Sequence, residues 1–288
     1  MGGKLRIWWQ TLRPATLPAA IGPVLLGQAL VPAACFSLAV AILCLACALA
    51  LQLAVNLAND LFDGLSGVDQ SDRLGPTRSL QSGLLSARSL SIGLGLCLAL
   101  AASTGLALVW QGDWRLFMLG GACILGVLAY SGGPRPYANL GLGEVAVWLF
   151  FGPVAVLGSL MAHGAPIHAS ALAAAALVGL PVAAILVVNN LRDRHTDARA
   201  GKRTQAVRLG GAITRRVYVM LLLLPYVFTL PLASPVGDWI AWGLLCLAGL
   251  MLSRRLCLRD GRELNPLLGH TAAYSLLTAL WLAWHFAP

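Results

Sequence analysis

Apolar runs of about 20 residues recur along this chain and constrain its fold more than any other feature. A helix needs about 20 apolar residues to cross a bilayer, and in lipid it satisfies its own backbone hydrogen bonds. Charged residues make up 11% of the chain, against about 25% in soluble domains. We therefore expect an all-α integral membrane protein, a single domain over residues 1–288, with nine transmembrane helices. The predicted spans are 15–32, 35–57, 89–111, 115–130, 143–162, 169–191, 216–233, 236–253 and 266–286.

The basic residues predict the orientation of these spans. Of the 20 Lys and Arg residues, only Arg115 falls on one side when the nine spans alternate across the membrane. Cytoplasmic connections carry an excess of Lys and Arg, so we expect the other side, with the N-terminus, to be cytoplasmic. The net charge of +9 then reflects topology, and no nucleic-acid partner is expected.

Polar side chains appear at the end of the second predicted span, where residues 56–63 read Asn-Leu-Ala-Asn-Asp-Leu-Phe-Asp. If the helix continues, Asn59 and Asp63 share one face because they are four residues apart, and Asp60 lies one position round. Glycine and serine follow, so we expect the helix to end there and a loop to fold Asp69 back.

A second polar cluster follows the sixth predicted span. Asn189, Asp193 and Asp197 step by four residues and would line one stripe over two helical turns. Both clusters fall on the expected cytoplasmic side, in the two longest connections, 58–88 and 192–215. A carboxylate costs roughly 3 kcal/mol at the centre of a membrane helix, so two clusters at span ends indicate a function.

The donor atoms of the two clusters favour Mg²⁺. Neither cluster contains the His or Cys that would favour zinc, and Mg²⁺ prefers oxygen ligands together with substrate phosphates. Arg73, Arg78, Lys202 and Arg203 flank the carboxylates, which is typical of a diphosphate site where cations neutralise the leaving group. Interfacial solvation of the aspartates and anchoring by the arginines remain as structural alternatives.

A turn rich in Gly and Pro lies between the clusters, on the same expected side. Its Tyr130, Arg135 and Tyr137 either close over a substrate or lie in the aromatic belt at the membrane interface. Glu144 opens the fifth predicted span, where it either caps the helix or enters a cavity.

These motifs resemble those of the UbiA superfamily of intramembrane aromatic prenyltransferases. The resemblance runs nearly end to end, from Arg13-Pro14 through both aspartate clusters to the Leu-Asn-Pro-Leu-Leu segment at 264–268. Two paired aspartate motifs at this separation are specific for the superfamily. The six-residue step from Asp63 to Asp69 resembles the spacing in one branch of the superfamily, the enzymes that act on 1,4-dihydroxy-2-naphthoate in menaquinone biosynthesis.

The resemblance implies a helix bundle around a central cavity with a cytoplasmic mouth, in the inner membrane of a bacterium. It implies transfer of a polyprenyl group from polyprenyl diphosphate to 1,4-dihydroxy-2-naphthoate, with loss of carbon dioxide, to give demethylmenaquinone. The implied catalytic and Mg²⁺-binding carboxylates are Asp60, Asp63, Asp193 and Asp197, with Asp69 as a further metal ligand. The implied diphosphate-binding residues are Asn59, Arg73, Arg78, Asn189, Lys202 and Arg203. The implied residues for the aromatic substrate are Tyr130, Arg135, Tyr137 and Glu144.

Three alternatives remain open. Another acceptor, such as 4-hydroxybenzoate or a chlorophyll- or haem-type ring, would keep the fold and the mechanism. A CDP-alcohol phosphotransferase would account for the residues from Asp60 to Gly64, but its second aspartate pair should lie on the next helix. An ion-coupled transporter would place its carboxylates near the midplane of the membrane, whereas here they lie at one side.

Overall fold

The computed structural model describes residues 2–66, 74–76, 78–230 and 236–287, and every regular element in these ranges is helical. The helices are α1 (Gly2–Leu12), α2 (Leu17–Ala29), α3 (Leu38–Leu65), α4 (Ala87–Gln111), α5 (Arg115–Ser131), α6 (Gly143–Leu149), α7 (Ala155–Ala162), α8 (Ala169–Arg199), α9 (Gln205–Phe228), α10 (Val236–Cys257) and α11 (Asn265–Phe286). Six helical segments within these ranges are long and apolar enough to cross a membrane. The predicted all-α membrane fold is therefore confirmed.

Each of the nine predicted spans overlaps a helix in the described part of the chain. The fifth span comprises α6 and α7, which a π-helical turn at Phe150–Val154 joins into one 20-residue run. The first and fourth spans are short helices, with α2 covering 13 residues and α5 covering 17. The count of nine membrane crossings stays a prediction.

Helix α8 forms the centre of the bundle. It packs against α2, α6, α9 and α11, and 67% of its most apolar 18-residue stretch is buried. The outer helices α4 and α10 instead expose large apolar side chains, including Leu96, Leu100, Leu244 and Leu247. A surface of this kind suits contact with lipid tails.

Two glycines let the α6–α7 run approach α8 closely. A Cβ atom on Gly179 of α8 would lie 2.6 Å from the carbonyl oxygen of Trp148, and one on Gly152 would lie 2.5 Å from that of Ala175. Small residues at such crossings allow helix backbones to approach in the absence of a hydrophobic driving force. The Trp148 indole Nε1 adds a hydrogen bond of 2.8 Å to the carbonyl oxygen of Ala176.

The aspartate clusters lie on helical extensions. Helix α3 continues to Leu65 and α8 continues to Arg199, each eight residues beyond the predicted span end at 57 or 191, so both clusters lie on helices as their four-residue spacing predicted. Buried carboxylates on both extensions are paired, Asp63 with Arg78 and Asp193 with Arg192. The expected end of the first extension, near Gly64, was correct.

An N-terminal helix, α1, was not predicted. It packs against α3, and the ring of its Trp8 lies over Gly93 of α4, where an added Cβ would come within 3.2 Å. Leu5 and Trp9 are exposed on the other side of α1. With only 11 residues, α1 is too short to produce the long apolar run by which spans were identified.

We expect Gly179→Val to destabilise the protein, because the new side chain overlaps the Trp148 carbonyl. Overpacking of this kind costs about 1–3 kcal/mol, which corresponds to a fall in Tm of roughly 2–6 °C. Gly95→Val is the matched control, since nothing lies within 4 Å of a Cβ on that exposed glycine of α4. Thermal unfolding in detergent measures both, and equal Tm values would contradict the close crossing.

Candidate active site

One large cavity of about 1010 Å³ lies inside the bundle. Its mouth lies where α3 and α8 end, and Asp63, Asp193 and Asp197 line it there. Helix α3 lines the cavity from Asp63 to Cys44, which are 19 residues apart, or about 28 Å along the helix axis. Beyond the mouth the lining is mostly apolar, including Leu108 and Leu116. The cavity is therefore a tunnel with a charged mouth and an apolar interior.

Asp63 lies at the centre of the charged mouth. Its Oδ2 accepts a hydrogen bond from Arg78 Nη2 at 3.0 Å and lies 3.8 Å from Lys202 Nζ. Asn59, one turn earlier on the same face of α3, accepts a hydrogen bond of 2.6 Å from Ser131 Oγ. Because Lys202 follows α8 and Asp63 belongs to α3, this contact joins the two predicted clusters.

Asp60 differs from the other carboxylates in its surroundings. It is buried, and it is absent from the residues that line the cavity. Its two oxygens accept hydrogen bonds from the backbone N–H groups of Ser79 and Leu80, at 3.0 and 3.1 Å. Asp60 therefore does not line the mouth beside Asp63, although the two are only three residues apart on α3.

The second cluster lines the cavity as its spacing predicted. Asn189, Asp193 and Asp197 all face the mouth from α8. Asp193 is held by Arg192, whose Nε and Nη2 donate to its two oxygens at 2.8 and 2.5 Å. The same Nη2 donates to Asn189 Oδ1 at 2.8 Å, so one guanidinium fixes two cavity-lining side chains.

Arg192 is a site residue that the sequence analysis assigned only to membrane topology. It is 1% exposed, and its Nη1 donates to Asn265 Oδ1 at 3.0 Å. Asn265 in turn donates to the backbone carbonyl of Leu74 at 3.0 Å. A Cβ on Gly75 would lie 2.6 Å from the guanidinium, so a larger residue there would displace Arg192. The adjacent Arg-Asp pair is the only sequence signal for this role.

The remaining predicted diphosphate ligands differ in where they point. Arg78 and Lys202 line the cavity. Arg203 is exposed and outside the cavity lining, and its backbone N–H donates to the carbonyl oxygen of Asn139 at 3.0 Å. Asp69 and Arg73 lie outside the described residues.

Of the four residues predicted to contact the aromatic substrate, two line the cavity and two do not. Tyr130 and Tyr137 line the cavity, with their rings edge to face and 5.4 Å apart. Arg135 is exposed and outside the lining, and Glu144 is buried behind the wall, where Asn190 Nδ2 donates to its Oε1 at 2.8 Å. Burial raises the pKa of Tyr137 to about 12, so this phenol stays neutral at physiological pH and donates to the Gly126 carbonyl oxygen at 2.7 Å.

A polar network that the sequence analysis did not assign lines the cavity near α1 and α2. Gln52 and Asn56 of α3 both donate to Thr16 Oγ1, at 3.0 and 3.1 Å, and Asn56 also donates to the Leu12 carbonyl at 2.9 Å. Arg13 lines the same region with a positive φ of 53°, a conformation rare outside glycine. In the sequence, the signal for this network was Gln52, a polar residue inside an apolar run.

The donor set at the mouth suits a metal that shares its ligands with a substrate. Among the residues that the structure describes, no three His, Cys, Asp or Glu side chains converge closely enough to hold a metal by themselves. Asp63 lies on the α3 wall, and Asp193 and Asp197 lie on the α8 wall. Mg²⁺ commonly binds one or two carboxylates together with substrate phosphates, so this arrangement fits it.

Comparisons with known proteins agree with this architecture. The sequence profile of the UbiA prenyltransferase family matches residues 20–267. The 1,4-dihydroxy-2-naphthoate octaprenyltransferase of Mycobacterium tuberculosis is 44% identical over 284 residues, covering 96% of this chain and 95% of that protein. The protein with the same description from Escherichia coli is 35% identical over 289 residues, covering 96% and 94%.

Solved structures show the same fold at low sequence identity. A UbiA homolog from Archaeoglobus fulgidus bound to GPP and Mg²⁺ has a TM-score of 0.68 and 20% identity, with 98% of each chain covered. The apo structure of a UbiA homolog from Aeropyrum pernix K1 also has a TM-score of 0.68, with 19% identity, covering 94% of this chain and 96% of that one.

We expect Arg192→Met to destabilise the protein strongly, because it leaves the Asp193 carboxylate buried without its guanidinium partner. Breaking a buried pair in this way costs about 3–5 kcal/mol, or a fall in Tm of roughly 6 °C or more. Arg216→Met on α9 removes an exposed guanidinium and serves as the control. If thermal unfolding gave the same small shift for both variants, Arg192 would not hold the second cluster together.

Proposed function

This chain belongs to the UbiA prenyltransferase family, and from that premise we propose that it transfers a polyprenyl group from polyprenyl diphosphate to 1,4-dihydroxy-2-naphthoate. The products are diphosphate, carbon dioxide and the quinol form of demethylmenaquinone. The observation that carries this proposal is the pair of aspartate-bearing helix ends at the mouth of an apolar tunnel. The acceptor is supported by the relatives, which are described as 1,4-dihydroxy-2-naphthoate octaprenyltransferases.

The mouth would hold the diphosphate. Arg78 and Lys202 line it, and both lie beside Asp63, so a bound diphosphate would meet cations and carboxylates together. Asp63, Asp193 and Asp197 would hold Mg²⁺, which supplies Lewis-acid neutralisation of the diphosphate charge. A UbiA homolog from Archaeoglobus fulgidus was solved bound to GPP and Mg²⁺, which supports a site of this kind in this chain.

The tunnel would take the polyprenyl tail. Its lining beyond the mouth comes from apolar side chains of several helices, and an apolar chain gains free energy there by leaving water. The tail would lie along α3 toward Cys44, which places the allylic carbon next to the diphosphate at the mouth. Ligand pockets commonly combine an apolar lining with a few polar groups that set orientation.

Reaction would follow from heterolysis of the allylic carbon–oxygen bond. The electron pair of that bond leaves with the diphosphate, where the guanidinium of Arg78 and the ammonium of Lys202 offset the added charge. The electron-rich ring of the acceptor attacks the allylic cation at the carbon that bears the carboxylate. Loss of carbon dioxide returns its bonding electrons to the ring. Tyr130 and Tyr137, on the cavity wall, would contact the acceptor ring.

The orientation is proposed from charge alone. With the N-terminus and the tunnel mouth at the cytoplasmic face of a bacterial inner membrane, every Lys and Arg except Arg115 would fall on the cytoplasmic side. The polar ends of α3 and α8 would then meet the aqueous phase, and the exposed apolar faces of α4 and α10 would meet lipid.

The direct test is an assay of the purified chain in detergent with Mg²⁺ and octaprenyl diphosphate. 1,4-Dihydroxy-2-naphthoate and 4-hydroxybenzoate are supplied in parallel reactions, and prenylated product and carbon dioxide are quantified. We expect product from the naphthoate with one carbon dioxide released per transfer. Product from 4-hydroxybenzoate alone would contradict the proposed acceptor and leave the prenyltransferase mechanism in place.

Asp63→Asn should lower the prenylation rate by about 10²–10³-fold, because it removes a carboxylate that would hold the Mg²⁺ by which the charge of the departing diphosphate is neutralised. The matched control is Asp260→Asn, which removes an exposed carboxylate paired with Arg215 outside the cavity. Treatment of the parent protein with EDTA should abolish turnover, and added Mg²⁺ should restore it. Full activity of Asp63→Asn, or activity that ignores EDTA, would contradict the proposed diphosphate site.

Gly120→Phe should block long prenyl chains selectively. Gly120 of α5 lines the tunnel, and nothing lies within 4 Å of a Cβ built there, so a phenyl ring would occupy the space of the tail. We expect kcat/KM to fall at least about tenfold for octaprenyl diphosphate and much less for geranyl diphosphate. The neighbouring Gly121→Phe is the control, because Gly121 is exposed and outside the lining. Equal effects of the two variants would contradict this path for the tail.

A further inference from the structure

Asp60 is the aspartate of the first cluster whose carboxylate does not reach the cavity. It is 2% exposed, and both of its oxygens accept backbone N–H groups, those of Ser79 and Leu80. We propose that Asp60 is a positioning residue that holds Arg78 in the tunnel mouth, and that it does not bind the metal. The proposal rests on the proposed function and deepens it, because it separates the role of Asp60 from that of Asp63.

One turn of α3 holds Arg78 at two points. Asp60 and Asp63 are three residues apart, which places them on neighbouring positions of one helix face. Asp63 accepts the Arg78 guanidinium at 3.0 Å, and Asp60 accepts the two N–H groups that directly follow Arg78 in the chain. Both the backbone and the side chain of Arg78 are thereby tied to a rigid helix.

The chain that follows Arg78 forms a turn around the same contact. The backbone N–H and Oγ of Ser82 donate to the Arg78 carbonyl at 3.1 and 2.7 Å, and the Leu85 N–H donates to the Ser79 carbonyl at 3.0 Å. The Ser79 hydroxyl also hydrogen-bonds to the Thr11 hydroxyl of α1. Because these bonds meet at the residues that Asp60 holds, loss of its carboxylate would displace Arg78.

Burial opposes any reorientation of the Asp60 carboxylate. Leu80 packs in the apolar cluster formed by α3 and α4, beside Leu57 and Leu61. If Asp60 turned toward a metal, the N–H groups of Ser79 and Leu80 would be left without an acceptor in this surrounding, which is costly. Hydrogen bonds to an ionised acceptor are among the stronger ones, so the observed arrangement is the favoured one.

The first experiment separates metal binding from substrate binding. Asp60→Asn keeps the size of the side chain but presents an amide group to one of the two N–H donors. We expect its affinity for Mn²⁺, measured by electron paramagnetic resonance as a probe of the Mg²⁺ site, to stay within about twofold of the parent. The KM for octaprenyl diphosphate should rise about tenfold through the displacement of Arg78. Asp63→Asn should weaken Mn²⁺ binding at least about tenfold.

A loss of Mn²⁺ affinity in Asp60→Asn as large as that in Asp63→Asn would overturn the proposal.

A double-mutant cycle provides a second test of the positioning role. If Asp60 acts through Arg78, the double variant Asp60→Asn with Arg78→Gln should have the same KM as Arg78→Gln alone. If the two KM effects multiplied, Asp60 would contribute independently of Arg78 and the positioning role would be wrong.

A measurement on the unmodified protein keeps the test decisive if Asp60→Asn fails to fold. Hydrogen–deuterium exchange reports the protection of the Ser79 and Leu80 amides with EDTA and with Mg²⁺ plus inorganic diphosphate. We expect exchange at these two amides to be unchanged or slower with Mg²⁺ and diphosphate. Faster exchange would show that Asp60 releases them to bind the metal, and would overturn the proposal.

These outcomes are distinct from failure of the proposed function. If the parent protein formed no prenylated product, the proposed function would fail, and Mn²⁺ affinity and amide exchange would still decide the role of Asp60. If the parent protein were active and Asp60→Asn lost Mn²⁺ affinity, only the positioning role would fail.

Discussion

Two ion pairs hold carboxylates at the tunnel mouth, and the geometry of the site depends on them. Asp63 is paired with Arg78, and Asp193 is paired with Arg192, with all four side chains largely buried. A buried carboxylate without a cation or hydrogen-bond donors is very costly, so each guanidinium is a condition for its aspartate to face the tunnel. The pairs also keep negative and positive charge in one place, as recognition of a diphosphate with a metal requires.

The charged mouth and the apolar tunnel behind it together suit one substrate. Helix α8 supplies the second cluster at its end, and it is the most buried of the six long apolar segments. Close contact of the α6–α7 run with α8 depends on Gly152 and Gly179, so small residues determine how near that wall lies. A substrate with a charged head and a long apolar tail matches these two regions in both polarity and order.

Helix periodicity accounts for the part of the site that the sequence predicted. Asn59 and Asp63, like Asp193 and its neighbours, share a helix face through their four-residue spacing, and the structure places them on the tunnel wall. The nine apolar runs likewise located every α-helix of the described residues except α1. Contacts between distant segments could not be derived in this way: the bond from Arg192 to Asn265 spans 73 residues. The outward direction of Arg203 depends on the turn after α8, which spacing along a helix does not describe.

The central claim is that a prenyl diphosphate binds with its head between the two aspartate clusters and its tail along α3. A structure of this chain with Mn²⁺ and a non-hydrolysable geranylgeranyl thiodiphosphate would test it most directly. We predict Mn²⁺ density, identified by anomalous scattering, between the diphosphate and the carboxylates of Asp63 and Asp193, with the tail running toward Cys44. A diphosphate bound away from both carboxylates, or a tail that leaves the tunnel at its mouth, would contradict the account.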